Sequence, residues 1–180
     1  MRAKPVVVGL GNELLGDDAI GLIATQAIRK ECAELADFVE CNLHGLALLD
    51  VLTDYGHAII IDAIHTGRHK PGTILRFSPD DLRSIPSSSP HYASLAEVIS
   101  IARRLELDFP EEIVILAVEI EGPPEIGGQL SKEVANSIPG LIERSKRTLE
   151  VWKQNAGCIK QVLKIRGPGK QQRERESLRL

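Results

Sequence analysis

The stretch PVVVGLGNELLGDDAIG, residues 5–21, decides the fold of this 180-residue chain. Its apolar start at residues 6–8 is β-branched throughout, which is typical of a buried strand. Glycines then interrupt the strand, and the adjacent carboxylates Asp17 and Asp18 precede a helical pattern of apolar residues. This order predicts a strand, a glycine loop and a helix with one of the two acids at its N-terminus, where unpaired amides favour a negative charge.

Strand and helix patterns alternate through the rest of the chain. The predicted elements are a helix ending near Cys32, strand 38–41, helix 45–55, strand 57–61, strand 73–77, a helix begun by the capping pair Ser94 and Glu97, strand 113–118, and a final helix from Ser131 to about Asn155. Asp62 is predicted to end the third strand, and Pro139 to kink the last helix or delay its onset. Residues 78–90 are predicted to be mostly loop.

Continuous apolar strands predict a sheet that helices cover on both faces, which is a three-layer α/β sandwich with a mostly parallel sheet. Strand 73–77 follows Asp62 too closely for a parallel crossover, so we expect it to run antiparallel to the strand before it. Residues 1–155 are expected to form a single domain. Residues 156–180, with seven basic and two acidic side chains, are expected to form a solvated, flexible tail; docking of an acidic partner is the alternative.

Composition narrows the classes of function. The net charge of −3 and the aromatic content of 3% indicate neither polyanion binding nor a stacking platform for nucleic acid. No apolar run is long enough to span a membrane, and no signal sequence is recognisable. Three cysteines without pairing motifs predict buried or inert thiols in a reducing compartment. These cysteines are Cys32, Cys41 and Cys158. Together, these features predict a cytoplasmic protein, and the modest, single-domain size predicts a monomer.

Three titratable side chains lie near the ends of predicted elements. In an open α/β sheet, ligands gather beyond the carboxyl ends of the strands. Asp18 follows the first strand, Asp62 ends the third, and His91 lies in the loop before the third helix. Two carboxylates and an imidazole form a suitable ligand set for a divalent transition metal with open positions. Each also has a structural interpretation: Asp18 as a helix cap, Asp62 as an acceptor for turn amides, and His91 as a surface side chain.

The glycines allow one other hypothesis, a nucleotide-binding domain. Gly9 and Gly11 are spaced like the start of a dinucleotide-binding fingerprint, but the next glycine is misplaced for GxGxxG. Glu40 could supply the ribose-binding acid, yet the glycine spacing argues against this assignment. The hypothesis therefore rests on the analogy of fold alone.

Three motifs, in this order, resemble the hydrogenase maturation protease family. They are GLGNELLGDDAIG at residues 9–21, IIIDAIHTGRHKPGTI at residues 59–74 and SPHYASLAEVI at residues 89–99. The first is the most specific, because it matches G-x-G-N-x-L-x-x-D-[DE]-x-x-G. The resemblance extends over residues 6–151.

The resemblance implies a hydrolase that removes a short C-terminal extension from the large-subunit precursor of a nickel-iron hydrogenase after nickel insertion. It also implies a twisted five-stranded sheet between helices. The metal-contacting residues of the family fall on Asp18, Asp62 and His91, which would contact nickel held by the substrate. By the same resemblance, Asp18 and Asp62 are the catalytic acids of an aspartyl-type protease. The residues assigned to loop and structural support are Gly9, Gly11, Asn12, Asp17 and Gly21.

The chain departs from the family in the loop after the second strand, where residues 40–43, ECNL, replace an acid followed by Gly-Gly-Thr. Ala19 stands where the family often has glycine. A non-catalytic, chaperone-like nickel-binding module that docks the same precursor is the alternative from another class of function, and it would explain the metal set without proteolysis.

Overall fold

Five strands and five helices make up the described part of the computed structural model, residues 4–42, 45–84, 90–122 and 126–165. The side chains of residues 83, 84, 90–94 and 157–165 lie outside this description. The strands are β1 (Val6–Leu10), β2 (Asp37–Cys41), β3 (His57–Ile64), β4 (Ile74–Phe77) and β5 (Glu112–Glu119). The helices are α1 (Ile20–Cys32), α2 (Ala47–Leu52), α3 (Pro90–Arg104), α4 (Lys132–Ala135) and α5 (Ile138–Ile165). Two 3₁₀ helices, Gly16–Ala19 and Pro79–Ser84, precede α1 and α3.

The strands form one sheet in the order β2-β1-β3-β5-β4. Neighbouring strands are parallel except for β4, which is antiparallel to β5. This confirms the five-stranded, mostly parallel sheet with one antiparallel strand. We call the edge at which the four parallel strands end the carboxyl edge.

Helices cover both faces of the sheet, as predicted. Alternate residues of a strand point to opposite faces. Val6 and Val8 belong to the hydrophobic core under α2 and α3, whereas Val7 belongs to the core under α1 and α5. The fold is therefore a three-layer α/β sandwich with two apolar cores.

The predicted ends of β3 and α2 are wrong. β3 continues through Asp62 to Ile64, because Asp62, Ala63 and Ile64 still pair with β5. α2 is shorter than predicted and ends at Leu52, since Thr53 is extended and Asp54 adopts a φ of 69°. Neither residue continues a helix.

The predicted start of the third helix is also wrong. α3 begins at Pro90, so Ser94 lies inside the helix and cannot be its N-cap. A proline suits the first turn of a helix, because its missing N–H has no intrahelical partner there. His91 therefore lies in the first turn of α3 and not in a loop. Residues 79–84 are 3₁₀ helix where loop was predicted, and residues 85–89 lie outside the described part of the chain.

The C-terminal helical region is divided in two. The Ser131 hydroxyl caps α4 by accepting from the Val134 amide at 3.4 Å. The helix then breaks, and α5 begins at Ile138 with Pro139 in its first turn, which confirms that the proline delays the onset. The predicted end near Asn155 is wrong, because α5 reaches Ile165. The division between a domain and a tail remains a prediction, since residues 166–180 lie outside the described part.

Two of the cysteines, Cys32 and Cys41, are buried, as predicted. Burial raises the pKa of the Cys32 thiol, so it stays protonated at neutral pH. The Cys158 side chain is outside the description. None of the helices in the part of the chain that the structure describes could span a membrane.

Candidate active site

The strand order creates a crevice at the carboxyl edge between β1 and β3. From β1 the chain crosses by α1 to β2 on one side of β1, and from β2 it crosses by α2 to β3 on the other side. The two helices pack on opposite faces of the sheet. Such a switch point is where open α/β sheets bind ligands, because the two connections leave the edge in opposite directions.

The loop after β1 places Asp18 at this crevice. The Asp18 Oδ2 accepts from the Asn12 amide at 2.8 Å, and the Asn12 Oδ1 accepts from the Leu14 amide at 3.0 Å. The Asp18 side chain caps neither the 3₁₀ helix nor α1, so its interpretation as a helix cap is wrong. Its Oδ1 has no hydrogen-bond donor among the residues that the structure describes. One carboxylate oxygen of Asp18 therefore fixes the loop, and the other is available to a ligand.

Glycines let this loop and α1 approach the sheet closely. A Cβ on Gly21 would collide with the Leu10 carbonyl oxygen and lie 2.5 Å from the Ile61 carbonyl oxygen. A Cβ on Gly9 would collide with the Gly21 carbonyl, and one on Gly11 with the Asp18 carbonyl. The first turn of α1 thus rests on the ends of β1 and β3, next to the crevice.

Asp17 has different contacts from its neighbour Asp18. Its Oδ1 accepts from the Ser131 amide at 2.6 Å. Since Ser131 caps α4, Asp17 joins the loop after β1 to the start of the C-terminal helical region. The two acids are both half-buried but bind different parts of the backbone.

Asp62 lies across the crevice from the loop after β1. Pairing of β1 with β3 ends at Gly9 and Ile61, so Asp62 is the first residue of β3 after the part that pairs with β1. It is only 1% exposed, and its Oδ1 accepts from the Ala63 amide at 2.9 Å. The 3₁₀ helix that carries Asp18 packs against β3. The structure therefore brings the loop of Asp18 and the strand of Asp62 together at one edge.

His91 lies on the same face of the sheet as the Asp62 side chain. Alternation along β3 directs Asp62 to the face of Ile60 and Ile64, which α2 and α3 cover. His91 belongs to the first turn of α3, but its side chain lies outside the described part. The described side chains contain no group of three potential metal ligands. The metal-binding role of Asp18, Asp62 and His91 thus stays a prediction.

Glu119 is a second buried acid at this edge, and the sequence analysis missed it. It ends β5 and is 1% exposed. Its Oε1 accepts from the Thr66 and Gly67 amides at 2.7 and 2.8 Å, and its Oε2 accepts from the Thr66 hydroxyl at 2.7 Å. Glu119 therefore holds the loop after β3 in place. The sequence does mark Glu119, and in the same way as Asp62: each is a carboxylate that follows a continuous apolar run.

A histidine joins the loops after β3 and β5. The His65 Nδ1 lies 3.1 Å from the Ile120 carbonyl oxygen and 3.2 Å from the Gly122 amide nitrogen. The ring tautomer decides whether Nδ1 donates to the carbonyl or accepts from the amide. Together with Glu119, this contact joins the loops after β3 and β5 at the carboxyl edge.

A separate groove of about 320 Å³ lies between β4 and α5. Its described lining contains none of the predicted site residues. Its charged lining residues are Arg76, Glu112, Arg144 and Arg147.

Comparisons with known proteins identify the family of this chain. The family model of hydrogenase maturation proteases, HycI, matches residues 23–147. This chain belongs to the hydrogenase maturation protease family. The hydrogenase 2 maturation protease of Escherichia coli K12 is 34% identical over 128 residues, covering 68% of this chain and 77% of that protein. Asp62 and His91 lie within the matched residues, and Asp18 precedes them.

Solved structures of proteases in this family share the fold. The hydrogenase maturating endopeptidase HybD of Escherichia coli superposes with a TM-score of 0.72 at 27% identity, covering 82% of this chain and 92% of that one. The [NiFe] hydrogenase maturation protease HybD of Thermococcus kodakarensis superposes with a TM-score of 0.64 at 23% identity, covering 81% and 99%. Like these endopeptidases, the present chain is a peptide-bond hydrolase.

The departure from the family pattern after β2 involves an ion pair. Glu40 lies 2.5 Å from the Arg29 guanidinium and accepts from the Gln26 side-chain amide at 2.8 Å. Both partners are on α1, so Glu40 ties the outer strand β2 to this helix. Leu43, in the same departure, lies outside the described residues.

Proposed function

We propose that this protease removes the C-terminal extension from the large-subunit precursor of a nickel-iron hydrogenase, after nickel has been inserted. The observation that carries the proposal is the placement of Asp18 and Asp62 at the switch point between β1 and β3. Membership of the hydrogenase maturation protease family supports a hydrogenase subunit as the substrate.

Nickel enters this proposal as part of the substrate. Asp18, Asp62 and His91 contact the ion that the precursor already holds, since carboxylates and imidazole are suitable ligands for a divalent transition metal. A nickel-free precursor lacks this set of contacts and binds less tightly. The difference in affinity restricts cleavage to precursors that have received their metal.

The carboxylates supply the acid–base chemistry of an aspartyl-type hydrolysis. Asp62, buried at the crevice, accepts a proton from the water that attacks the scissile carbonyl carbon. A new C–O bond forms, the C–N bond breaks, and the proton passes to the leaving amine. Asp18 orients the substrate through the carboxylate oxygen that is not bonded to Asn12. A neighbouring divalent ion makes such a water more acidic.

The proposed place of action is the cytoplasm, with the protease acting as a monomer. This part of the proposal rests on the spacing of the three cysteines, which matches no disulfide or zinc motif, and on the single-domain size of the chain.

The test of the proposed function compares nickel-loaded and nickel-free precursors of the host's nickel-iron hydrogenase large subunits. We expect the loaded precursor to lose its C-terminal extension at least about tenfold faster, because one lost charge-assisted contact changes affinity by that factor or more. Mass spectrometry of the product measures the shortening. Equal rates would contradict nickel recognition, and binding without shortening would favour the chaperone-like module.

Substitutions at Asp17 test whether its role is structural and differs from that of Asp18. Asp17→Ala leaves the Ser131 amide without its acceptor, and we expect a loss of about 1–3 kcal/mol in the free energy of unfolding. Asp17→Asn keeps an oxygen acceptor, so it should recover most of that stability and process the loaded precursor within a few-fold of the wild-type rate. Denaturant titration and the processing assay measure the two effects. A folded Asp17→Asn variant without activity would show that the two acids share one role.

A further inference from the structure

Two large aliphatic side chains are exposed at the carboxyl edge, in loops that contact each other. Leu14, in the loop after β1, is 65% exposed, and Ile126, in the loop after β5, is 87% exposed. The Gly127 amide donates to the Leu14 carbonyl oxygen at 2.8 Å, which joins the two loops beside both side chains. We call Leu14 and Ile126 the apolar rim.

Asn12 connects the apolar rim to the candidate active site. Its side-chain oxygen accepts from the Leu14 amide, and its own amide donates to the Asp18 carboxylate. The same residue therefore fixes the backbone of Leu14 and one oxygen of Asp18. A peptide whose backbone reaches the free oxygen of Asp18 passes next to the apolar rim.

Exposure alone does not mark a binding site. Single aliphatic side chains are common on protein surfaces, and this chain exposes Leu105 to 63% where α3 leads towards β5, at the opposite edge of the sheet. The apolar rim differs because its two side chains lie in loops that are hydrogen-bonded to each other, next to the Asp18 carboxylate. Leu46, in the loop after β2, is a third exposed aliphatic side chain following a strand of the same edge. Exposed apolar side chains on loops that contact each other, as in the apolar rim, are typical of interaction sites.

We propose that the apolar rim binds large apolar side chains of the precursor segment that contains the scissile bond. The inference rests on the proposed function and names the chemistry of the segment that the site accepts. Side chains of an extended peptide alternate in direction, so an aliphatic or aromatic group can pack on Leu14 and Ile126 while the backbone beside it faces Asp18. Burial of apolar surface on both partners supplies the affinity.

The test measures binding separately from cleavage. All variants are made in an Asp62→Asn background to prevent turnover, and their dissociation constants for the nickel-loaded precursor are determined by biolayer interferometry. We expect Leu14→Ser and Ile126→Ser each to raise Kd about tenfold, and the double variant about a hundredfold, because each loses the burial of one large side chain. Leu14→Met and Ile126→Leu should restore Kd to within about threefold.

Leu105→Ser is the matched control, since it makes the same kind of change at a similarly exposed position on the opposite edge. We expect it to leave Kd within about twofold of the starting value, as surface substitutions commonly do. Unchanged Kd values for the rim variants, or an equal rise for Leu105→Ser, would overturn the proposal.

A second readout distinguishes this inference from the proposed function. With Asp62 intact, the rim variants should raise KM for processing and leave kcat within a few-fold, because they remove binding and not chemistry. A fall in kcat at unchanged KM would overturn the rim assignment. A wild-type protein that binds the precursor without shortening it would refute the protease function, while the Kd comparison would still decide the role of the apolar rim.

Discussion

Asp62→Asn and Asp18→Asn variants are expected to fold normally and to lose processing of the nickel-loaded precursor by at least about 10²-fold. Loss of a positioned general base costs about 10²–10⁴-fold. Asparagine keeps an oxygen that can accept from the Ala63 amide in one variant and from the Asn12 amide in the other. The fold should therefore tolerate both changes, whereas proton transfer and metal contact should not. Single-turnover assays read by mass spectrometry measure the rates.

Asp37→Asn is the matched control for these two variants. Asp37 begins β2 at the opposite edge of the sheet, where its Oδ2 accepts from the Tyr55 hydroxyl at 3.0 Å. The same chemical change there should leave processing within about twofold of wild type, as expected of a position remote from the chemistry. If a folded Asp62→Asn or Asp18→Asn variant processes the precursor at the wild-type rate, the assigned roles are wrong.

Gly21→Ala is expected to lower the free energy of unfolding by about 3 kcal/mol or more. Overpacking commonly costs about 1–3 kcal/mol, and here the obstacles are the carbonyl oxygens of Leu10 and Ile61, which cannot rotate away as side chains can. The cost should exceed the roughly 1 kcal/mol that alanine gains over glycine in a helix. Chemical denaturation monitored by circular dichroism measures the difference, and we expect Gly9→Ala to behave alike.

The Gly140→Ala variant in α5 is the control for Gly21→Ala, because it changes helix propensity in the same way but meets little steric obstacle. Among the described residues, its Cβ would meet only the Ile74 Cδ1 at 2.8 Å, which is the far end of a flexible side chain. We expect this variant to be neutral or to gain up to about 1 kcal/mol, because the helix benefit then meets little opposition. Equal stabilities of the Gly21→Ala and Gly140→Ala proteins would refute the close approach of α1 to the ends of β1 and β3.

Local patterns in the sequence were sufficient for most elements. Runs such as residues 6–8 and 113–118 are apolar throughout, and a strand that is buried on both faces requires such a run. The antiparallel direction of β4 also followed from the sequence, since a short connection cannot make a parallel crossover. The start of α3 did not follow from the sequence. A serine followed three residues later by a glutamate is typical of a helix start, but the same pair can occur inside a helix, as Ser94 and Glu97 do in α3, which begins at Pro90.

The sequence by itself determined the type of most elements, and it placed carboxylates directly after the apolar runs that form buried strands. Only the tertiary structure decided that β3 lies beside β1 and that β4 pairs with β5 rather than with β3. It also decided that Asp18 bonds to Asn12 whereas Asp17 bonds to Ser131, and that Glu119 holds the loop after β3. Propensity and hydrophobic period are properties of neighbouring residues, so a sequence displays them directly. Strand order and hydrogen-bond partners depend on which distant segments pack together, and this is settled by the fold as a whole.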